Sequence, residues 1–147
     1  MNKKEMNNKG FSLVELIIVI AIMAILVGVL APQFIKYVES SRQSTDISAV
    51  SEYKTAVESW VADEGTKSGV TVPATINVVV SANGVYATVN LTDVGLAESS
   101  TSGVTPLKSS GWTAATVGSY DTNTFQWTAT NNTNSKAPKK DLADAFR

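Results

Sequence analysis

The chain has 147 residues, 12 Lys and Arg against 13 Asp and Glu, and neither His nor Cys. This length fits one domain with a modest core, and the balanced charge gives no reason to expect nucleic acid or an acidic substrate as a partner. The missing residue types exclude His- and Cys-dependent nucleophiles and the usual zinc sites. No spacing of the remaining polar residues indicates a catalytic pair, so we expect no enzyme, no metal and no cofactor.

The N-terminal third carries a long apolar run. Residues 16–31 are all apolar, and the segment extends back to Phe11 and forward to Ile35. As a helix these 25 residues reach about 37 Å at roughly 1.5 Å per residue, which is enough to cross a hydrocarbon core of about 30 Å. The interruptions are Ser12, Glu15, Pro32 and Gln33.

Lysines precede this segment, at Lys3, Lys4 and Lys9. The positive-inside rule therefore predicts a single-pass protein of the cytoplasmic membrane, with its N-terminus inside and the rest outside. A cleaved secretory signal peptide is one alternative, but Pro32 directly follows its only small-residue cleavage site. A plain anchor is another, and it leaves Glu15 uncompensated, at about 2.5–3.5 kcal/mol if that residue were central.

The stretch "KGFSLVE" at residues 9–15 resembles the class III leader of type IV pilins and their pseudopilin relatives. The resemblance covers roughly residues 9–40. It implies that a prepilin peptidase in the membrane cuts after Gly10 and methylates the new amine on Phe11. It also implies a pilin fold, in which a long helix packs on an antiparallel sheet.

Cleavage at that point would place an ammonium on Phe11, four residues before Glu15. In a filament, each Glu15 could meet the Phe11 ammonium of a neighbouring subunit inside an apolar bundle. Low dielectric strengthens such a pair and penalises an unpaired carboxylate, so subunits in the wrong register are disfavoured. We therefore interpret Glu15 as an assembly residue that sets the register.

Gly28 and Pro32 form a weak point in the predicted helix. Pro32 has no amide hydrogen, and the bond that it fails to make would go to the carbonyl of Gly28. Gly costs about 1 kcal/mol and Pro about 3 kcal/mol in a helix interior relative to Ala. The result is either a simple kink or, as in pilin filaments that the sequence resembles, a stretch at residues 28–32 that unwinds.

After the apolar segment, residues 39–46 contain no apolar side chain. Their charges recur at helical spacing, which predicts that the helix continues there in contact with solvent. A break with Ser44 or Thr45 as a new N-cap is the alternative. An apolar stripe then indicates a core-facing helix that ends near Gly65. The stripe consists of Ile47, Val50, Tyr53, Val57, Trp60 and Val61.

Beyond residue 70 the hydrophobic period changes to that of strands. We predict three or four antiparallel strands whose apolar face lies on the helix stripe, with Asn83 and Gly84 in the first turn. Val85, Ala87, Val89 and Leu91 would share one face, and Phe125, Trp127 and Ala129 alternate with polar residues. The predicted strands are residues 76–80, 85–91, 112–117 and 124–130. Residues 131–140 are predicted to be a loop, and the last seven residues either form a frayed turn or dock.

The α+β chain is thus predicted to be the precursor of a type IV pilus subunit that forms a homopolymeric surface filament. The resemblance implies an assembly platform and an ATPase as further partners, while no specific nucleic acid is expected. A major pseudopilin of type II secretion and a membrane-anchored extracytoplasmic binding module are the alternatives. The predicted segments are a leader at 1–10, a membrane and filament-core helix at 11–35, an amphipathic helix at 36–64 and a β-sheet head with a C-terminal loop at 65–147.

Overall fold

The computed structural model describes residues 10–64, 67, 69–89, 91 and 104–147. Its elements are the helix α1 (Leu13–Glu64), the strands β1 (Thr75–Ser81), β2 (Gly84–Ala87), β3 (Ala115–Asp121) and β4 (Gln126–Ala129), and a C-terminal 3₁₀ helix (Leu142–Phe146). The chain divides into two units, Met1–Ile35 and Lys36–Arg147. The predicted α+β class is confirmed.

Helix α1 is continuous through the serine-rich stretch, so the alternative of a break at Ser44 or Thr45 is wrong. The hydroxyls of Ser44, Thr45 and Ser48 each donate to the carbonyl four residues earlier, at 2.9, 3.0 and 3.1 Å. Such back-bonding lets short polar side chains remain in a helix without competing for backbone groups elsewhere.

The four strands form one antiparallel sheet in the order β2-β1-β3-β4. The predicted hairpin is present, but its turn lies at residues 82–83, and Gly84 is the first residue of β2. Gly84 has a φ of 146°, and a Cβ there would lie 2.3 Å from the carbonyl oxygen of Thr105. This close approach occurs because Thr105 exchanges two backbone hydrogen bonds with Val85, at 2.9 and 3.1 Å.

The strand boundaries differ from the prediction. β2 ends at Ala87, although Val89 and Leu91 are buried as expected. β3 begins three residues later than predicted and extends to Asp121, because its partner β1 pairs with it up to that residue. Phe125 does not alternate inward with Trp127. It lies in the β3–β4 turn with a φ of 56° and is 68% exposed.

The core of the second unit joins the helix stripe to the sheet, as predicted. Tyr53 and Val57 of α1 are fully buried, and Trp60 packs partly buried against the same cluster. Among the described residues the sheet contributes Ile76, Val78, Val80, Val85, Ala87, Val117 and Tyr120. The hydroxyl of Tyr53 lies 2.9 Å from the Thr105 hydroxyl, so this large side chain reaches a polar partner at the edge of the core.

The C-terminus docks on the sheet. Asp141 caps the 3₁₀ helix by accepting from the backbone N–H of Ala143 at 2.9 Å. The ring of Phe146 lies 4.8 Å from that of Trp127. A Cβ on Gly118 would lie 2.4 Å from Phe146, so glycine is needed for this packing. Residues 131–140 form the predicted loop, without a helix or a named strand.

The expectation that residues 39–46 are solvated is wrong for two side chains. Gln43 is fully buried and Asp46 is 1% exposed. Asp46 accepts from the backbone N–H groups of Lys108 and Ser109, at 2.6 and 2.8 Å, and from the indole N–H of Trp112 at 2.7 Å. Polar residues on a helix face look solvated in a sequence, but loop backbone groups cover them here.

Gln43 ties the C-terminal loop to the same turn of α1. Its side chain donates to the carbonyl of Lys136 at 3.1 Å and accepts from the backbone N–H of Lys140 at 3.0 Å. We call Gln43, Asp46 and these loop partners the polar clamp. In a chain without Cys, hydrogen bonds of this kind rather than disulfides hold the two head loops against the helix.

Candidate assembly surface

The first turn of α1 contains a capping box. The Glu15 carboxylate accepts from the backbone N–H of Ser12 at 2.9 Å, and the Ser12 hydroxyl oxygen accepts from the backbone N–H of Val14 at 3.3 Å. These contacts satisfy donors that a helix N-terminus otherwise leaves free. This capping role was not predicted from the sequence, although a Ser followed three residues later by Glu before an apolar run is its usual signature.

The two residues at the predicted cleavage site precede the helix. Gly10 is exposed, with nothing within 4 Å of a Cβ at its position, and Phe11 is 90% exposed. The structure brings Glu15 together with Ser12, and among the described residues no hydrogen bond or ion pair joins it to Phe11. Phe11 still carries a peptide N–H here, so the ammonium of the predicted pair does not exist before cleavage.

Apolar side chains cover the first half of α1 on all sides. Within the first unit, Leu13 is 73% exposed, Ile22 53% and Phe34 68%, and the best 18-residue window has a mean hydropathy of 3.1 with none of it buried. We call the exposed side chains of residues 11–37 the assembly surface. Burying one large apolar side chain is worth about 1.5–3 kcal/mol, so this surface requires lipid or other protein chains around it.

Gly28 and Pro32 lie within this surface, and α1 remains helical through both. No atom lies within 4 Å of a Cβ placed on Gly28. Pro32 offers no hydrogen for the Gly28 carbonyl, so one backbone acceptor in the helix interior lacks its usual partner. Whether this turn opens in a filament stays a prediction.

The head offers no metal centre in the part of the chain that the structure describes. Three acidic side chains of the unit Lys36–Arg147 have structural partners. Asp121 accepts from the backbone N–H groups of Asn123 and Thr124, which lowers the pKa of its carboxyl. Asp144 pairs with Arg147 at 2.7 Å. The Ser109 hydroxyl donates to Glu39 at 2.5 Å and lowers the pKa of that carboxyl.

A capped apolar helix that is exposed on every side, followed by a compact head, defines a membrane-anchored subunit built for assembly. Residues 6–31 match the family described as the prokaryotic N-terminal methylation motif. The fimbrial protein EcpC of Eikenella corrodens is 32% identical over 140 residues, which cover 87% of this chain and 86% of that protein. The chain belongs to the type IV pilin family.

Two further relatives match a part of the chain. The type IV major fimbrial protein FimA of Dichelobacter nodosus is 42% identical over 55 residues, which are 37% of this chain and 35% of that protein. The prepilin peptidase-dependent protein A of Clostridium perfringens is 37% identical over 71 residues, which are 48% and 51% of the two chains. No solved structure gives a significant match. Of these matches, the methylation motif is placed at residues 6–31, and the family is one of structural subunits.

Proposed function

We propose that this chain is a prepilin, the precursor of the structural subunit of a type IV pilus. The observation that carries the proposal is the exposed apolar half of α1, together with the methylation motif at residues 6–31. Relatives named as fimbrial proteins support a pilus rather than a secretion pseudopilus or a solitary anchored binding module. Two described acidic side chains have structural roles: Asp121 accepts from a turn, and Asp141 caps the 3₁₀ helix.

In this proposal, prepilin peptidase cuts the exposed bond after Gly10 and methylates the amine of Phe11. The capping box begins the helix at Leu13, so the bond to be cut lies in the non-helical residues before it. Before assembly the apolar helix spans the cytoplasmic membrane once, with its N-terminus inside because of Lys3, Lys4 and Lys9. The leader at 1–10, the filament-core helix at 11–35, the amphipathic helix at 36–64 and the head at 65–147 remain the proposed segments.

Assembly then replaces lipid around the helices by other helices. Packing and interhelical hydrogen bonds drive association of such segments. An assembly platform and a cytoplasmic ATPase would supply the work of extraction from the membrane. The finished filament lies at the cell surface, and adhesion or motility are properties of that polymer and its machinery.

Glu15 sets the register in this scheme. Its carboxylate is held in the precursor by the N–H of its own Ser12. Cleavage adds an ammonium on Phe11, and a neighbouring subunit can present that ammonium to Glu15 inside the apolar bundle. A carboxylate that is buried without such a partner is strongly disfavoured, so only one axial shift between helices satisfies every subunit.

The turn between Gly28 and Pro32 is proposed to be the point at which the helix unwinds in the filament or under tension. The support is the missing backbone hydrogen bond at a glycine carbonyl. Replacing both residues by Ala should raise helicity in this turn. Filaments of that variant that stretch as far as wild-type filaments would contradict the role.

The test of the prepilin proposal is a mass spectrum of protein sheared from the cell surface, together with electron microscopy of the same cells. We expect long fibres whose subunit begins at a methylated Phe11. Short periplasmic assemblies without surface fibres would indicate a pseudopilin. Uncleaved protein that stays diffuse in the membrane, in cells with a working assembly system, would overturn the proposal in favour of an anchored binding module.

The test of the Glu15 role compares two substitutions. Glu15→Gln retains an oxygen that can accept from the Ser12 N–H but has no charge, whereas Glu15→Ala loses both. If the charge pair sets the register, both variants are cleaved and neither forms normal filaments. Normal filaments from Glu15→Gln would limit the residue to capping, and normal filaments from Glu15→Ala would remove any role in assembly.

A further inference from the structure

A groove runs along the second half of α1, where the helix faces the C-terminal 3₁₀ helix. Its volume is about 780 Å³, and it is open to solvent. Its apolar lining residues are Ile47 and Ala56 of α1 and Ala145 of the 3₁₀ helix. All of its lining residues belong to the unit Lys36–Arg147. We call this feature the C-terminal groove.

The C-terminal groove is also lined by polar side chains of two kinds, hydroxyls and carboxylates. Hydroxyl groups line it, including those of Ser51 and Thr55. Two carboxylates stand beside them, Glu52 and Asp144. Asp144 is paired with Arg147, but among the ion pairs of the described residues Glu52 appears in none. The groove therefore suits an occupant with an apolar body, a hydroxyl or amide at its tip, and a positive charge at one edge.

The end of the assembly surface carries these three properties. Tyr37 is 73% exposed, and its ring is an apolar body with a hydroxyl that bonds to polar partners when it is buried. Lys36 and Gln33 are also exposed and lie within one turn of Tyr37 on α1. Unlike the residues before them, Lys36 and Gln33 gain nothing from contact with apolar helices.

We infer that the C-terminal groove receives Tyr37, with Lys36 beside Glu52, from a second copy of the chain. The inference rests on the proposed function, because it assigns a contact within the filament. The groove begins at Ile47 on the same helix that carries the assembly surface up to Tyr37, so both belong to a continuous run of contacts along α1. The lysine and the unpaired carboxylate supply the charge complementarity.

The occupant cannot be the chain's own Tyr37. Tyr37 and Thr55 lie 18 residues apart on one continuous helix, about 27 Å at roughly 1.5 Å per residue. A parallel neighbour that places Tyr37 level with Glu52 is shifted by 15 residues, about 23 Å. The Glu15 contact with Phe11 requires a shift of only four residues, about 6 Å. The two contacts thus involve different neighbours, as one screw operation in a helical filament provides.

The chain contains no Cys, so engineered cysteines report this contact without background. Filaments of the double variant Tyr37→Cys and Thr55→Cys are oxidised and then dissolved in denaturant. Two cysteines about 27 Å apart on one helix cannot form an intramolecular disulfide. We expect a ladder of covalent multimers. The matched control pairs Tyr37→Cys with Asn123→Cys, at the exposed turn between β3 and β4, which does not line the groove, and should give no ladder.

If the wild-type chain forms filaments but the variant with Tyr37→Cys and Thr55→Cys gives no ladder, the groove assignment is overturned. The proposed function then remains intact. A ladder of equal strength from the Asn123 control would also overturn it, because the contact would then lack specificity. Cross-linking to a protein other than this chain would replace the second copy by another occupant. If wild-type chain forms no filaments at all, the proposed function and this inference both fail.

Charge exchange gives an independent readout. Lys36→Glu and Glu52→Lys each place like charges together in the proposed contact, and each should lower filament yield by roughly two- to fivefold, as expected for a solvent-accessible pair. The double variant restores opposite charges and should recover most of that loss. Single variants at the wild-type yield, or a double variant that loses the product of both effects, would contradict the pairing.

Discussion

The two halves of helix α1 differ in which kind of side chain is buried. In the first half, apolar side chains such as Leu26, at 55%, remain exposed among the described residues. In the second half, polar side chains such as Gln43 and Asp46 are buried, and hydrogen bonds from the head satisfy them. The apolar side chains of the first half can be buried only by other molecules, whereas the polar side chains of the second half are hydrogen-bonded by their own chain.

This difference separates stability from assembly within a single helix. The unit Lys36–Arg147, here called the head unit, contains the apolar core and the polar clamp. Its folding therefore depends on contacts that the chain already makes. The apolar half contributes no core to that unit and gains its free energy only from lipid or neighbouring subunits. Substitutions in the two halves should therefore change different measured quantities.

The largest expected effect comes from one substitution made in both regions. Leu142 is fully buried, so Leu142→Ala should lower the free energy of unfolding of the head by about 2–5 kcal/mol. Leu26→Ala, at a side chain 55% exposed, should change it by less than about 0.5 kcal/mol. Denaturant unfolding in mild detergent, followed by tryptophan fluorescence, measures both because Trp60, Trp112 and Trp127 all lie in the head unit.

Filament yield supplies the reverse readout for the same pair. Leu26→Ala removes apolar surface that a neighbouring helix would contact, so it should weaken assembly while the head remains as stable as wild type. Equal losses of head stability from both substitutions would contradict the division of α1 into two regions.

The polar clamp should give the second largest effect. Asp46→Asn keeps the shape of the side chain but replaces one acceptor oxygen by an N–H₂ group that faces the N–H donors of Ser109 and Trp112. A buried donor left without its acceptor costs about 1–3 kcal/mol. The same chemical change at the exposed Asp63 is the matched control and should have a smaller effect on unfolding. Equal effects would mean that Asp46 does not hold the head loops.

Two glycines should respond to alanine with opposite signs. A Cβ on Gly118 would lie 2.4 Å from the ring of Phe146, so Gly118→Ala should destabilise the head by about 1–3 kcal/mol. Gly28 has open space around it, so Gly28→Ala should raise helix stability by about 1 kcal/mol. Unfolding of the head measures the first, and the helical signal in circular dichroism measures the second. A stabilised head in Gly118→Ala would show that Phe146 is not fixed against the sheet.

The sequence predicted those elements whose pattern follows from a single period. The stripe from Val50 to Val61 has helical spacing, and the Val-rich run of β1 precedes the turn signal at Asn83 and Gly84, so both elements were placed correctly. Strand ends were less accurate, because pairing with a distant strand decides them. β3 runs to Asp121 since β1 offers it partners that far, and local propensity contains no record of that partner.

For a related reason, the sequence can indicate local motifs of the site but not features that depend on long-range packing. The leader and Glu15 form a local motif, whereas the C-terminal groove is lined by Ile47 and Ala145, which lie nearly a hundred residues apart in the sequence. The burial of Asp46 was missed because its donors are backbone N–H groups of a loop, which have no sequence signature. The capping role of Glu15 could have been predicted from Ser12, three residues earlier. It was missed because the charge of Glu15 in an apolar segment was interpreted only as an assembly feature.

The smallest expected effect concerns Asp121, which caps the turn between β3 and β4. Its carboxylate accepts from two backbone N–H groups, at 2.8 and 3.2 Å, and these hold its pKa below the ordinary value of 3.8. Because the folded-state pKa is lowered, its contribution is fully present above that ordinary value and is lost as the pH falls through the lowered one. Acid should therefore weaken the turn only below about pH 4.

Asp121→Asn separates the cap from its charge. The Asn side chain retains an oxygen that can accept from Asn123 and Thr124, so the turn persists and stability near neutral pH changes little. The variant has no carboxyl to protonate, so its melting temperature should fall less than that of the wild type between about pH 6 and about pH 3. Parallel curves for the two proteins would show that the cap carries no pH dependence. Glu39 is the other described carboxyl whose pKa is lowered, by the Ser109 hydroxyl, and the acid sensitivity would then be sought there.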